Sequence, residues 1–201
     1  MNAMTWLGNG LSDANHDEDA LSVREATLST LRRFDYPESD ILVVQGNLAT
    51  TYRSLGREEE SLQMRRDGYY GSVKIYGEER ESTLIAATNY AVCLVSLRRF
   101  EEAKVLLRKI MPVAQRVLGE SNVLTLKMRT IYAAALFDDT GATLDDLREA
   151  VTTLEDAERI ARRVLGGAHP ATTAIEQSLR NARAALRARE TPPQNAVDAS
   201  S

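Results

Sequence analysis

The sequence is poor in residues that cross-link chains, interrupt helices or span a bilayer. Its 201 residues include a single cysteine, Cys93, together with five prolines, eleven glycines and 5% aromatic side chains. One cysteine excludes an internal disulfide, as is typical of proteins from a reducing compartment. No apolar run approaches the roughly 20 residues of a membrane-spanning helix, and residues 1–20 lack the pattern of a secretory signal. We therefore predict a cytoplasmic protein without a membrane segment.

The chain also lacks a strong charge of either sign. It carries 25 basic and 29 acidic residues, for a net charge of −4. Phosphate backbones are bound by concentrated basic faces, so we predict no nucleic-acid partner. The arginines near the C-terminus are the one local cluster, and the solvated face of a last helix accounts for them.

Residues with reactive or metal-binding side chains are few and scattered. His16 lies in an acidic stretch, and His169 lies in a repeated phrase that suits a helix start. Cys93 sits on an apolar helix face with no histidine nearby in sequence to activate it. No glycine-rich loop follows a strand, as phosphate-binding motifs require. The sequence therefore predicts no enzyme activity, no cofactor and no metal.

A short phrase recurs along the chain. "RVLGESNVLTL" at 116–126 returns as "RVLGGAHPATT" at 163–173, with a looser version, "KIYGEERESTL", at 74–84. Asn47-Leu48-Ala49 matches Asn89-Tyr90-Ala91 at a shift of 42 residues, and the last copy needs five more residues in a loop near 138–146. A fixed period of this size predicts stacked structural repeats.

Each repeat has the apolar spacing of two helices. Steps of three and four residues place the apolar side chains on one helix face, and strand alternation is absent. Gly77, Gly119 and Gly166 suit the position after a helix, where a positive φ is needed. The pattern predicts A helices at 41–54, 83–97, 125–138 and 172–188, and B helices at 18–33, 58–75, 100–117 and 144–164.

These repeats resemble the tetratricopeptide repeat in its long, kinesin-light-chain-like variety of about 42 residues. "LGGAHPAT" at 165–172 matches the linker of that variety. A large–small–large trio in each A helix and a small residue early in each B helix also match. The trios are Leu48, Ala49 and Tyr52; Tyr90, Ala91 and Leu94; and Tyr132, Ala133 and Leu136, and the small residues are Ser61, Ala103 and Ala150. The resemblance implies an all-α fold, a right-handed superhelical solenoid of antiparallel hairpins.

The prediction for the whole chain is three full hairpins flanked by single helices. The hairpins cover 41–75, 83–117 and 125–164, within a repeat domain that spans 18–188. Residues 1–17 are too polar for a first A helix and are expected to be disordered or loosely docked, with Trp6 and Leu7 either resting on the first helix or forming an interaction segment. Residues 189–201 are expected to be a disordered tail. The last helix is either a polar cap or the remnant of a longer array.

For function, the resemblance implies a non-catalytic adaptor that binds a peptide or helix in a concave groove lined by the A helices. Asn47 and Asn89 offer a donor and an acceptor each, as a ligand backbone requires. The alternative is that these amides bond to neighbouring helix ends, and that Arg53 and Lys127 are ordinary solvated charges. Self-association through an uncapped terminal helix is the second functional hypothesis, so we expect a monomer or a weak homo-oligomer. The predicted groove residues are Asn47, Thr50, Arg53, Thr88, Asn89 and Lys127.

Overall fold

The computed structural model describes residues 3–191, and this part of the chain is all-α, without a strand. Residues 192–201, most of the predicted tail, lie outside the described range, whereas Arg189 and Glu190 still belong to the last helix. Among the described residues, no helix has both the length and the apolar character to cross a membrane. The helices are α1 Ala3–Asp13, α2 Asp17–Arg33, α3 Glu38–Ser54, α4 Glu58–Tyr76, α5 Glu81–Ser96, α6 Phe100–Leu118, α7 Val123–Phe137, α8 Leu144–Leu165 and α9 Pro170–Glu190.

The recurrent phrase ends one helix and starts the next, as predicted. Gly77, Gly119 and Gly166 follow α4, α6 and α8 with φ values of 80°, 91° and 85°. Their ψ values are 171°, 159° and 160°, a combination that side chains other than glycine strongly disfavour. Asn122 and His169 then cap the helices that follow, each accepting a backbone N–H two residues on, at 2.8 Å and 3.1 Å.

The prediction that the first repeat lacks an A helix is wrong, because α1 fills that place. α1 packs on α2 and is joined to it by the same turn that joins α3 to α4. Asn15 and Gly56 both have a positive φ, and the backbone N–H groups of His16 and Arg57 donate to the carbonyls of Leu11 and Tyr52, both at 2.8 Å. Leu7, Gly8 and Leu11 repeat the large–small–large order of Leu48, Ala49 and Tyr52 at a distance of 41 residues, and Gly8 is buried as Ala49 is, although Leu7 is 55% exposed. Glycine, asparagine and serine disfavour helix by propensity, and here tertiary packing overrides it.

The chain divides into two compact units, one ending at Leu97 and the other beginning at Arg98. The first unit contains α1 to α5. One cluster of its core lies between α2 and α3, where buried leucines of α2 meet the buried face of α3. The residues of this cluster are Leu21, Leu28, Leu31, Ile41, Val44, Leu48 and Tyr52, with Leu55 and Met64 packed against it.

The trios and small residues predicted to pack between helices are buried, which confirms their assignment. Ala49, Ala91 and Ala133 are each 0% exposed, and the larger trio residues are at most 9% exposed. Ser61, at the small position of α4, is also fully buried, and its hydroxyl donates to the carbonyl of Ala49 at 2.7 Å. A small side chain at these positions allows paired helices to approach closely.

In the second unit, α9 packs on α7 and α8 through its apolar strip. Leu179 and Ala182 are buried, while Arg183 pairs with Glu155 of α8 at 2.7 Å. The strip on the last helix is therefore covered within the unit, and the helix presents its arginines outward as a polar cap does. Self-association through α9 would need an exposed apolar strip, and the described residues of this helix do not provide one.

One prediction concerns the stability of the first unit at high pH. The Tyr52 hydroxyl donates to Glu25 at 2.7 Å, and burial, helped by the Glu25 carboxylate, raises the pKa of Tyr52 from 10.0 to about 12. The folded chain thus holds this proton more tightly than the unfolded chain, so its contribution is complete below about pH 10 and is lost as the pH rises towards about 12. Between about pH 10 and about pH 12, the unfolding free energy should fall less steeply for Tyr52→Phe than for the native chain. Urea unfolding at a series of pH values measures this difference.

Tyr70→Phe provides the control, because Tyr70 is 60% exposed on α4 and its hydroxyl can be removed with little effect on packing. This variant should keep the native unfolding free energy at neutral pH. Equal slopes for Tyr52→Phe and the native chain would contradict the role assigned to the Tyr52–Glu25 hydrogen bond.

Candidate functional site

A groove of the first unit lies between α3, α4 and α5, and we refer to it as the α3–α4–α5 groove. Its cavity volume is about 260 Å³. This is smaller than the roughly 300–1,000 Å³ typical of small-molecule sites. The lining residues are Ser39, Leu42, Val43 and Gly46 of α3; Met64, Arg65, Gly68, Ser72 and Tyr76 of α4; and Ser82, Ile85, Ala86 and Asn89 of α5.

Glycines inside helices keep this groove open. A Cβ atom added at Gly46 or at Gly68 would meet no atom within 4 Å, so both positions lead into free space. At Gly71, by contrast, a Cβ atom would come within 2.7 Å of Leu42 Cδ2, because α3 and α4 approach closely there. Glycine inside a helix costs roughly 0.5–1 kcal/mol relative to alanine. At Gly71, the close packing of α3 and α4 requires a glycine. At Gly46 and Gly68 no neighbouring atom requires one, and the absence of their side chains leaves the groove open.

The walls of the groove are apolar and come from equivalent places in two repeats. Val43 of α3 and Ile85 of α5 are 42 residues apart, one repeat length. They are 48% and 44% exposed, which is unusual for such side chains on helices whose large apolar residues are mostly buried. The groove therefore offers apolar surface to a ligand.

Arg65 is the one charged side chain among the described residues that line the groove, and no carboxylate is found among them. Its Nη2 donates to Thr50 Oγ1 at 3.4 Å, which holds the guanidinium beside α3. Its Nε is shielded from solvent and has no hydrogen-bond partner within the described part of the chain. Arg65 therefore brings a positive charge to the groove that no carboxylate among the described lining residues neutralises.

The two asparagines predicted as a pair have different surroundings. Asn89 lines the groove, and no residue of the described range hydrogen-bonds to its amide. Asn47 does not line the groove, and its Nδ2 donates to Asn9 Oδ1 of α1 at 3.4 Å. Asn47 is therefore bonded to a neighbouring helix, which was the alternative to a ligand contact. Of the two amides, only Asn89 lines the groove.

Asn47 belongs to a buried polar network around Arg24 of α2. Arg24 is 6% exposed and donates to Asn9 Oδ1 at 2.9 Å, to the Asn47 carbonyl oxygen at 3.4 Å and to Thr51 Oγ1. Burial lowers the pKa of Arg24, with Asp17 and Asp13 opposing the shift. This network ties α1, α2 and α3 together, which gives Asn47 a structural role.

The other predicted groove residues are distributed as follows. Thr50 is exposed and reaches the groove through its bond with Arg65. Arg53 is exposed on α3 and does not line the groove, and Lys127 is exposed on α7 of the second unit. Thr88 is 1% exposed, and its hydroxyl donates to the Leu84 carbonyl at 2.7 Å. The prediction that Thr88 faces a ligand is therefore wrong, because its side chain is buried.

Sequence reasoning missed the contribution of α4, because only A helices were expected to line a groove. Arg65, Gly68 and Tyr76 all come from that B helix. A signal was present in "RRDGYYGS", residues 65–72, which places two glycines in the middle of a predicted helix. Glycine is disfavoured there and points to close packing or to a ligand.

Cys93 and His169, the residues considered for chemistry, both have structural surroundings. Cys93 is 1% exposed, with its sulfur 3.8 Å from Ser61 Oγ. His169 precedes α9, where its Nδ1 accepts the N–H of Ala171, as predicted for a residue at a helix start.

Comparison with known proteins supports the repeat assignment. Residues 40–116 match the family described as the tetratricopeptide repeat. Two crystal structures of "nearly identical TPR-like repeats" from a Podosopora anserina protein described as a putative kinesin light chain, one of them a single-residue variant, are similar at 20% identity. Their TM-scores are 0.79 for the variant and 0.76 for the other, covering 94% of this chain and 87% of those chains.

A third solved structure, BtubC (BKLC) of P. vanneervenii, is similar with a TM-score of 0.69 and 16% identity, over 93% of this chain and 77% of that one. No curated protein sequence matches this chain. At these identities the solved structures establish the fold alone.

Proposed function

We propose that this chain, which carries tetratricopeptide repeats of the kinesin-light-chain-like kind, receives a peptide segment of a partner protein in the α3–α4–α5 groove. Tetratricopeptide repeats are generally protein-interaction modules, and helical scaffolds of this kind are typically not catalytic. The observation that carries the proposal is the open groove itself. Gly46 and Gly68 leave it empty at a cost in helix stability, and Val43 and Ile85 remain exposed beside it.

Each part of the groove has a role in holding a peptide. Val43 and Ile85 contact an apolar side chain of the ligand, and burial of that side chain supplies most of the affinity. Asn89 offers both a donor and an acceptor to the ligand backbone. The Arg65 guanidinium, which lines the groove, donates to a carbonyl or carboxylate oxygen of the ligand, while Thr50 accepts a hydrogen bond from its Nη2 and helps to keep it in place. No group in this scheme carries out a reaction, so the module acts as an adaptor, which we place in the cytoplasm.

The proposal predicts that filling the groove abolishes binding and leaves the fold intact. We expect Gly68→Gln to lower the affinity for groove-bound peptides at least about tenfold, since the new side chain occupies the space that the ligand needs. The same change replaces glycine by a better helix former, so the unfolding free energy should rise by roughly 0.5–1 kcal/mol. Peptides are first selected on the native chain from a displayed library of random peptides about 12 residues long, enough to cross one repeat in extended form. Their affinities are then measured by fluorescence anisotropy.

Gly10→Gln is the matched control. Gly10 also lies in a helix with no atom within 4 Å of an added Cβ, but it lies on α1, outside the groove. This variant should bind the selected peptides with native affinity. If Gly68→Gln also binds them with native affinity, the groove is not their site and the proposal fails. The proposal fails equally if the library yields no peptide that binds.

A further inference from the structure

An outward face of α1 is apolar over most of its length and uncovered in the first unit, and we refer to it as the α1 outer face. It consists of Ala3, Trp6, Leu7, Gly10 and Asp13, which recur at helical spacing and are all exposed. Trp6 is 67% exposed and Leu7 is 55% exposed, whereas Thr5 and Gly8 on the opposite side are buried. Of the two roles expected for Trp6 and Leu7, docking on the first helix is therefore excluded for these side chains.

Trp6 and Gly10 allow this face to pair with a second copy of itself. Gly10 lies one helical turn after Trp6, and an added Cβ there would meet no atom within 4 Å. An exposed ring and an exposed position without a side chain are thus one turn apart on the same face. If two copies of α1 meet antiparallel, with a two-fold axis passing at the level of Gly8, Trp6 of each copy lies against Gly10 of the other. Such a reciprocal arrangement is what an isologous interface requires.

The charges of α1 favour the same antiparallel arrangement. Residues 3–12 carry no charged side chain, so two copies meet without repulsion along the helix. Asp13 sits in the last turn of its own helix, where the helix dipole disfavours an acid. In the antiparallel pair each Asp13 lies near the N-terminal end of the other α1, whose partial positive charge stabilises it. A parallel pair would instead bring the two carboxylates together.

We propose that the α1 outer face binds a second copy of this chain, through antiparallel pairing of the two α1 helices. The interface is small, because two tryptophans and two leucines cover on the order of 500 Å², well below the roughly 1,200 Å² of a stable complex. The dimer therefore forms reversibly, at high protein concentration. This surface is separate from the α3–α4–α5 groove, and the inference does not depend on what that groove binds.

The test is sedimentation velocity of the full chain over a concentration series from about 10 µM to about 1 mM. The native chain should shift from monomer towards dimer across the series. Trp6→Ala and Gly10→Gln should each weaken the association at least about tenfold, the first by removing the ring and the second by placing a side chain where the ring of the other copy lies. Thermal unfolding should show that both variants fold as the native chain does.

Two controls separate this face from general stickiness. Val105→Ala removes another apolar side chain that is 67% exposed, on α6, and should leave the association unchanged. Gly68→Gln blocks the groove and should also leave it unchanged. A native chain that stays monomeric throughout the series would overturn the proposal, as would association that survives either α1 substitution or that disappears in either control.

Discussion

Ala49→Trp is expected to unfold the first unit or to leave it only marginally stable. Ala49 is fully buried in α3, next to Leu48, and its carbonyl oxygen accepts the Ser61 hydroxyl of α4 at 2.7 Å. An indole at this position has no free space and forces α3 and α4 apart, so we expect a loss of about 3 kcal/mol or more in the free energy of unfolding. For a chain of this length, that corresponds to a fall of roughly 6–12 °C in melting temperature.

The measurement is thermal and urea unfolding followed by circular dichroism, with hydrogen exchange to locate the effect in α1 to α5. Arg53→Trp is the control, because Arg53 is exposed on the same helix and places the same indole in solvent. This control should unfold within about 0.5 kcal/mol of the native chain. Native stability of Ala49→Trp would show that the small residue of the trio is misassigned, and the repeat alignment would fail with it.

Gly166→Ala is expected to destabilise the second unit at the junction between α8 and α9. Gly166 has φ 85° and ψ 160°, a region of backbone space that only glycine occupies without strain. A Cβ atom at this position costs on the order of 1–3 kcal/mol, and relief of that strain would displace the His169 cap of α9. We expect this loss in urea unfolding, together with faster hydrogen exchange at the start of α9.

The neighbouring glycine offers a control of the same chemistry. Gly167 lies in the same turn with no positive φ, and an added Cβ there would meet no atom within 4 Å. Gly167→Ala should therefore be neutral or slightly stabilising, since alanine lowers the entropy of the unfolded chain. Equal effects of the two substitutions would rule out backbone strain as the reason for glycine in the recurrent phrase.

Helices α3 to α9 could be predicted closely because their signals are local. Apolar spacing placed α3 to α9 within a few residues, and the phrase around Gly119 and Gly166 marked both the end of one helix and the start of the next. A positive φ, a capping side chain and a helical stripe each depend on a few neighbouring residues. The burial of Ala49, Ala91 and Ala133 followed from the same pattern, because a repeated small residue indicates a repeated close contact.

α1 was missed for the opposite reason. Gly8, Asn9 and Gly10 give it a low propensity for helix, and its stability comes from packing on α2 and from the bonds of Asn9 with Arg24 and Asn47. Those contacts join residues 15 and 38 positions apart, a distance at which no local pattern indicates an interaction. The exposed face with Trp6 became visible only once the opposite side of the helix was known to be buried.

The candidate site divides in the same way. The sequence was sufficient to place Asn47, Thr88 and Asn89 on A helices, and to indicate that repeats of this kind bind proteins. Local periodicity names the face of a helix, but whether a side chain there meets solvent depends on the helices that pack beside it. Tertiary structure decided that Asn89 lines a groove, that Asn47 bonds to α1 and that Thr88 is buried. It also brought Arg65 and Gly68 of α4 beside Ile85 of α5, because a groove is the space left between helices and belongs to none of them.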